Sequence, residues 1–353
     1  MTYQVTVEPT GDVVEVEDGQ TLLDAALRQG VWLPFACGHG TCGTCKVQVL
    51  EGYADAGDAS SFALMDSERD EGKLLACCCL PESDMVIEAD VDVDPDFQGL
   101  PVEDYQGKVV LIEDLSPTIK HIRLELDRPM AFQAGQYINL HVPSIDSTRA
   151  FSIANPPSMS GIIDLHVRKV EGGAGTTWLH DELQVGQSLD VSGPYGQFFV
   201  RKSDPQGAIF IAGGSGLSSP ESMIMDLLEE GDTRPIYLFQ GARNKAELYH
   251  ADHFYQLAEK HDNFHYIPAL NAPLPDDAWE GFVGFVHEAV GQFFEQRCSG
   301  NKAYLCGPPP MIEAAISTLI QSRLFERDIH MEQFLTAADG ATGKVRSALF
   351  KRI

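Results

Sequence analysis

The chain has 353 residues, 44% of them apolar and 22% charged, with 52 acids against 25 bases for a formal net charge of -27. That length exceeds one ordinary domain, and so acidic a field repels nucleic-acid phosphates and anionic membrane surfaces, which excludes binders of either. No stretch reaches the roughly 18 uninterrupted apolar residues of a spanning helix, and Met1 to Thr10 lacks a basic-then-apolar leader pattern, so the expected location is the cytoplasm.

In chain order, alternation through Val5 and Val7 and again through Val14 and Val16, with Asp18-Gly19 as turn material, predicts a β-hairpin. Thr21 and Asp24 fit a capping box for a helix over Leu22 to Gln29, and Gly30 suits its end. Six of the eight cysteines fall in the first 79 residues, and residues 1–96 carry twenty acids against four bases. The acidic run from Glu88 to Asp96, followed by Gly99, reads as a linker. Clustered thiols without a leader point to metal chemistry over disulfides. Cys37, Cys42 and Cys45 have C-x4-C-x2-C spacing with a further cysteine downstream, the plant-type arrangement for a 2Fe-2S cluster. Four thiolates must converge on two irons, and Gly38, Gly40 and Gly43 let the backbone fold tightly enough to aim N–H groups at sulfur. The competing reading is a zinc site from Cys42 and Cys45 with two of Cys77, Cys78 and Cys79, but it lacks a second C-x2-C knuckle. Spacing alone leaves the fourth ligand open among those three. His39 reads as a loop residue, since Rieske centres need two histidines. His250 with His253, and His261 with His265, have metal-compatible spacings but read as exposed polar positions.

From about Val102 to Val200, short β patterns such as Tyr137 to Val142 and Ile162 to Val170 predict an antiparallel barrel. Within it lie Arg149-Ala150-Phe151-Ser152, the strand His166-Val167-Arg168, and Gly175-Thr176-Thr177 ahead of a helix expected near Trp178, a place for a pyrophosphate. From Ala208 on, apolar strands over Ala208 to Ala212, Pro235 to Gln240, Phe264 to Ala269, Lys302 to Cys306 and Ile329 to Phe334 alternate with helical stretches, predicting a parallel α/β sheet. Gly213-Gly214-Ser215-Gly216 stands between strand and helix and reads as a dinucleotide loop, although Ser219 occupies the usual third glycine position. Cys306 and Gly307 close the fourth strand. No acid ends the second strand, where Arg243, after Gly241, could meet a 2′-phosphate.

Several of these segments resemble known families. Leu75-Ala76-Cys77 through Pro81-Glu82-Ser83-Asp84 resembles plant-type ferredoxins, which implies Cys77 as the fourth cluster ligand. Arg149 to Ser152 resembles the R-x-[YF]-S motif of the ferredoxin-NADP reductase superfamily, implying Arg149 on a phosphate, Phe151 against the isoalloxazine and Ser152 near flavin N5. With Ala150, His166, Val167, Arg168, Gly175, Thr176 and Thr177, it implies an FAD site. Gly193-Pro194-Tyr195-Gly196 resembles the same superfamily's turn at the end of the flavin barrel. Gly213 to Pro220 resembles its G-G-[ST]-G-x-x-P loop, and Cys306-Gly307-Pro308-Pro309-Pro310-Met311 its C-G-P-P-x-M. These imply NADH contacts at Gly213, Gly214, Ser215, Gly216, Gly241, Arg243, Cys306, Gly307, Pro308 and Met311, with Ser152 and Cys306 catalytic. The whole chain is similar to reductase components of bacterial multicomponent aromatic oxygenases, nearest to those of phenol hydroxylases, partly through Phe35 to Gly40 and the tail Ser347 to Ile353.

The resemblance implies a β-grasp ferredoxin domain at 1–96, an antiparallel β-barrel FAD domain at 101–203 and a parallel α/β nucleotide domain at 207–353. It also implies electron flow from NADH through FAD and the 2Fe-2S cluster to a separate oxygenase, against which the acidic first domain docks. No paired E-x-x-H motifs are present, so oxygen activation belongs to the partner. The alternatives are a reductase for a ring-hydroxylating dioxygenase, a standalone quinone or ferric reductase, and a non-enzymatic iron-sulfur sensor.

Overall fold

The computed structural model describes residues 1–91 and 94–334, so the tail Ser347 to Ile353 and part of the acidic run lie outside the described residues. The chain divides into two compact units, Met1–Glu103 and Asp104–Ile353. In the first, β1 (Thr2–Glu8), β2 (Asp12–Glu17), α1 (Leu22–Arg28), β3 (Lys46–Glu51), β4 (Ala54–Asp55), α2 (Asp66–Asp70), β5 (Lys73–Leu75), β6 (Leu80–Pro81) and β7 (Met85–Glu88) follow in order. The main sheet runs β2-β1-β7-β3-β5, with β1 parallel to β7 and the other pairs antiparallel. The period-2 alternation puts Val5, Val7, Val14 and Val16 wholly inside, against Leu22, Ala25 and Ala26 of α1.

Thr21 caps α1, its hydroxyl accepting the Asp24 N–H at 3.4 Å. Only half of the predicted capping box forms, because the Asp24 carboxylate is held by Arg28 at 3.0 Å instead of reaching back. The helix stops at Arg28, and Gly30 takes the left-handed conformation at φ +74° that suits glycine after a helix end. The free N–H groups of its first turn are used for assembly. Leu22 N donates to Cys79 O at 3.2 Å and Leu23 N to Ala76 O at 2.8 Å, tying α1 to the three-cysteine segment.

The second unit begins with an antiparallel sheet of six strands: β8 (Glu103–Ser116), β9 (Ile119–Leu126), β10 (Tyr137–Val142), β11 (Ser147–Ser152), β12 (Ile162–Arg168) and β13 (Ser188–Tyr195), in the order β11-β10-β13-β8-β9-β12. Helix α3 (Ala174–Asp181) lies between β12 and β13. It starts four residues before Trp178, so Gly175, Thr176 and Thr177 stand in its first turn and not in a loop before it. Gly173, extended at the cap, makes this possible, and Thr176 Oγ1 donates back to its carbonyl at 3.2 Å.

A parallel sheet follows, built from β14 (Gly207–Gly213), α4 (Ser218–Glu229), β15 (Ile236–Ala242), α5 (Ala251–Lys260), β16 (Phe264–Leu270), β17 (Phe282–Val283), α6 (Val286–Phe293), β18 (Asn301–Gly307), α7 (Pro309–Gln321) and β19 (Ile329–Gln333). Its order is β17-β16-β15-β14-β18-β19. Every residue of β14 is buried, as expected for a central parallel strand covered on both faces. The order reverses beside β14, so the carboxyl ends of β14 and β18 open a crevice at the switch point where such sheets bind ligands. No helix among the described residues is long and apolar enough to cross a membrane.

Candidate cluster and flavin-nicotinamide sites

In the first unit, Cys37, Cys42 and Cys45 ride on a loop turned by Gly38, Gly40 and Gly43, all at φ between +72° and +78°. The space beside Gly40 is as important as its conformation, since a Cβ there would lie 2.6 Å from Cys78 Sγ and 3.2 Å from Asp58 O. So folded, the loop turns its amides on sulfur. His39 N and Thr41 N face Cys37 Sγ at 3.5 and 3.4 Å, Thr44 N faces Cys42 Sγ at 3.5 Å, and Gly40 N faces Cys77 Sγ at 3.2 Å. Cys77 Sγ stands 3.2 Å from Cys45 Sγ.

The electrostatics follow from that nest. Burial opposes ionisation of Cys37, but hydrogen bonds from Thr41 and His39 outweigh it and bring the thiol down to about 6. Cys45 is drawn to about 7, chiefly by Cys77, whose own thiol the same contact and burial push upward. Thiols converging from two chain segments on the thiolate-stabilising amides of one loop are a donor set that fits a 2Fe-2S cluster. The three adjacent cysteines differ in place: Cys77 joins the nest, Cys78 Sγ lies 3.7 Å from Cys77 Sγ, and Cys79 is fully buried, its thiol pushed up to about 12 by burial.

In the second unit, β11 carries Arg149, Ala150, Phe151 and Ser152 opposite Leu140, Asn139, Ile138 and Tyr137 of β10. Phe151 packs on the barrel core. Arg149 is exposed, bonded to Ser147 Oγ and Thr148 O at 3.1 and 2.7 Å, and runs past Gly175, where a Cβ would be 3.6 Å from its Cγ. The guanidinium and the start of α3 therefore face the same space, a fit for phosphate. The Thr176 hydroxyl is spent on the loop, accepting Val170 N at 3.1 Å as it donates to Gly173 O. Tyr195 of the Gly193 to Gly196 turn stacks on Tyr137 with ring centroids 5.5 Å apart.

Ser152, nearly buried, donates to Glu332 Oε2 at 3.0 Å. The same oxygen accepts from Ser219 at the start of α4 at 3.0 Å and from the Cys306 thiol at 3.7 Å. Cys306 and Glu332 are register partners on β18 and β19. The barrel strand β11, the start of α4, Cys306 of β18 and β19 thus meet at one carboxylate. Burial holds that carboxyl above the usual carboxylate range against the pull of the serine hydroxyls, and burial with Glu332 nearby pushes the Cys306 thiol well up.

The dinucleotide loop is shaped by close approach. Gly214 sits at φ +58° with the Arg168 guanidinium nearby, a Cβ on Gly216 would strike the Cys306 carbonyl, and one on Gly213 would meet Met311 Sδ at 2.6 Å. Ser215 is buried, Pro308 caps α7, and Gly241 packs where a Cβ would be 3.0 Å from Val286. Arg243 follows β15 and is exposed. Val167 lies in the barrel core. His166 is buried and held down to about 4 by burial, its Nδ1 3.2 Å from Tyr249 Oη, which donates to Gly214 O at 3.1 Å. His250 Nδ1 lies 3.0 Å from both carboxylate oxygens of buried Glu221, and these two with His166 form a compact group. Sequence reasoning passed over Glu332, Tyr249 and Glu221, and met Ser219 only as the residue in the usual third glycine position. The available signal for Glu332 was an acid inside the apolar strand predicted over Ile329 to Phe334.

Family models match the same segments: a 2Fe-2S iron-sulfur cluster binding domain over residues 5–82, an oxidoreductase FAD-binding domain over 106–200 and an oxidoreductase NAD-binding domain over 210–316. The chain is 72% identical to the phenol hydroxylase P5 protein of Acinetobacter pittii (strain PHEA-2) and 68% identical to the phenol 2-monooxygenase reductase component of Pseudomonas sp. (strain CF600), with full coverage of all chains. Among solved structures, the Amycolatopsis cytochrome P450 reductase GcoB superposes with a TM-score of 0.83 at 36% identity, over 94% of this chain and 99% of that one.

Proposed function

The chain belongs to the family of phenol hydroxylase reductase components, and from that premise we propose that it supplies a phenol-oxidising oxygenase with electrons taken from NADH. It is an oxidoreductase with 2Fe-2S, FAD and NAD-binding domains, which we assign to 1–96, 101–203 and 207–353. Bound in their domains, FAD would supply hydride acceptance from NADH and one-electron release, and a 2Fe-2S cluster would supply one-electron transfer toward the oxygenase. The observation that carries the reading is the convergence of Ser152, Ser219 and Cys306 on Glu332.

The residues of this chain divide the work. Cys37, Cys42, Cys45 and Cys77 hold the irons, and the amides of the loop stabilise the thiolates. Arg149 and the first turn of α3 bind phosphate, and Phe151 flanks the isoalloxazine. Glu332 fixes the rotamers of Ser152 and Cys306, so the hydroxyl and thiol at the hydride-transfer site are already oriented before cofactor arrives. Gly214 and Gly216 let backbone approach the dinucleotide. The acidic first unit offers the surface on which an oxygenase docks, and use of NADH with clustered cysteines supports a cytoplasmic location.

The test is the visible spectrum of the anaerobic protein before and after a slight excess of NADH, with iron and flavin quantified. One flavin per two irons and bleaching of both bands is the expected result. A protein that stays colourless after reconstitution with iron, sulfide and FAD overturns the reading in favour of a binding module. Turnover with purified phenol hydroxylase oxygenase, against a dioxygenase partner, distinguishes the two oxygenase classes.

A further inference from the structure

The strand that follows the dinucleotide loop carries a charge pair that the function above does not use. Gly213 at the end of β14 is the register partner of Gly241 on β15, so Arg243 lies just beyond the level of the dinucleotide loop. In dinucleotide-binding sheets this second strand end faces the adenine ribose, and an arginine there is the usual partner for a 2′-phosphate. Here the guanidinium is already engaged. Its Nε donates to Glu247 Oε2 at 3.0 Å and its Nη2 to Glu247 Oε1 at 2.5 Å, a two-pronged fork. Glu247 is the less exposed partner, at 22% against 63% for Arg243. It is positioned by the short turn Lys245–Glu247, whose cap Asn244 accepts the Glu247 N–H at 3.3 Å. Beside it, the backbone Lys245 N–H donates to Asp277 Oδ2 at 3.1 Å, and Lys245 Nζ to the Asp277 carbonyl at 3.4 Å.

We propose that Glu247, by holding Arg243, makes this strand end select NADH and reject NADPH. A 2′-phosphate arriving here must break the bidentate pair and then lie beside the released carboxylate, whereas a ribose 2′-hydroxyl does neither. Selection is thus built by a repulsive group placed against the wrong cofactor, not by an extra contact to the right one. The inference rests on reading residues 207–353 as the NADH-binding region.

The experiment follows anaerobic reduction of the flavin in the holoenzyme by NADH and by NADPH. Its readout is the ratio of kcat/KM for NADPH to that for NADH. Glu247→Gln frees Arg243 from its charged partner and is expected to raise the ratio about tenfold, while Glu247→Gln combined with Arg243→Ala returns it to the starting value. A ratio within about twofold of the unaltered protein in Glu247→Gln overturns the inference. So does a gain that survives in the double variant, because the cation that reads the phosphate is then not Arg243. If the unaltered holoenzyme is not reduced by NADH at all, the reductase reading falls and this inference with it, a result distinct from normal NADH reduction with an unmoved ratio.

Discussion

The cluster nest and the flavin-nicotinamide crevice are built by opposite routes. The nest is local: three thiols and their amide donors come from one loop, and the fourth thiol arrives from a segment that hydrogen bonds tie to the start of α1. The crevice is convergent, its central carboxylate joining residues 180 and 113 positions away on elements of different sheets and helices. A local site writes its chemistry into residue spacing. A convergent site writes it into sheet order, which no short window of sequence contains.

The largest effect should come from breaking the local site. Cys77→Ser is expected to remove the cluster, with loss of iron and on the order of 100-fold slower delivery to the oxygenase, while NADH reduction of a flavin-accepting dye persists. Cys78→Ser should retain two irons per flavin. If iron is lost from the Cys78 variant and kept in the Cys77 variant, the fourth ligand is Cys78, whose sulfur is only 3.7 Å away.

The convergent site should respond more mildly and as a unit. Glu332→Gln keeps the shape but lets an amide compete for the donors, and is expected to slow hydride transfer from NADH about 10-fold in single-turnover stopped flow. Ser152→Ala should cost a similar factor. Because the two groups touch, the double variant should lose well under the product of the single effects. Independent, multiplying losses would show that Glu332 does not act through Ser152.

How much could be read in advance follows the same division. The C-x4-C-x2-C spacing and the turn glycines announced the nest, and apolar strands such as Ile209 to Ala212 announced the parallel sheet with ends shifted by a residue or two. Leu22 to Arg28 was legible from Thr21 and Gly30. The start of α3 was not, because a Gly-Gly-Ala-Gly-Thr-Thr string has poor helix propensity, and its first turn is closed by the Thr177 N–H and the Thr176 hydroxyl meeting on the Gly173 carbonyl. Glu332 was hidden because its importance exists only once β19 lies beside β18. Arg243 was visible as a cation, but its neutralisation by Glu247 depends on a turn conformation that residue identity does not dictate.

A stability prediction, apart from the kinetic ones, separates the two units by their response to acid. Asp164, buried in the barrel sheet, receives His121 Nε2 at 2.7 Å and a two-pronged contact from Arg123 at 2.7 and 2.9 Å. Burial alone would raise its carboxyl, yet these partners hold it down to about 2 from an ordinary 3.8. A carboxylate depressed on folding contributes stability that is present in full above the ordinary value and is lost as pH falls through the folded one. The contribution, about 2 kcal/mol by linkage, should therefore persist at pH 7 and fade between about pH 4 and pH 2. His121, after burial's opposing pull, is raised by Asp164 and by Glu113, whose Oε1 lies 2.9 Å from His121 Nδ1, so its share is present below 6.5 and lost as pH climbs through its folded value. The Asp164 part of the two shifts is one interaction and does not add. In urea melts of the second unit's signal, Asp164→Asn should cost about 2 kcal/mol at pH 6 and much less at pH 2. The first unit has twenty acids against four bases in residues 1–96, so mild acid relieves its self-repulsion and should stabilise it while Asp164 is still ionised. A second-unit melt whose Asp164→Asn deficit stays constant down to pH 2 would show that the His121 and Arg123 contacts do not depress that carboxyl.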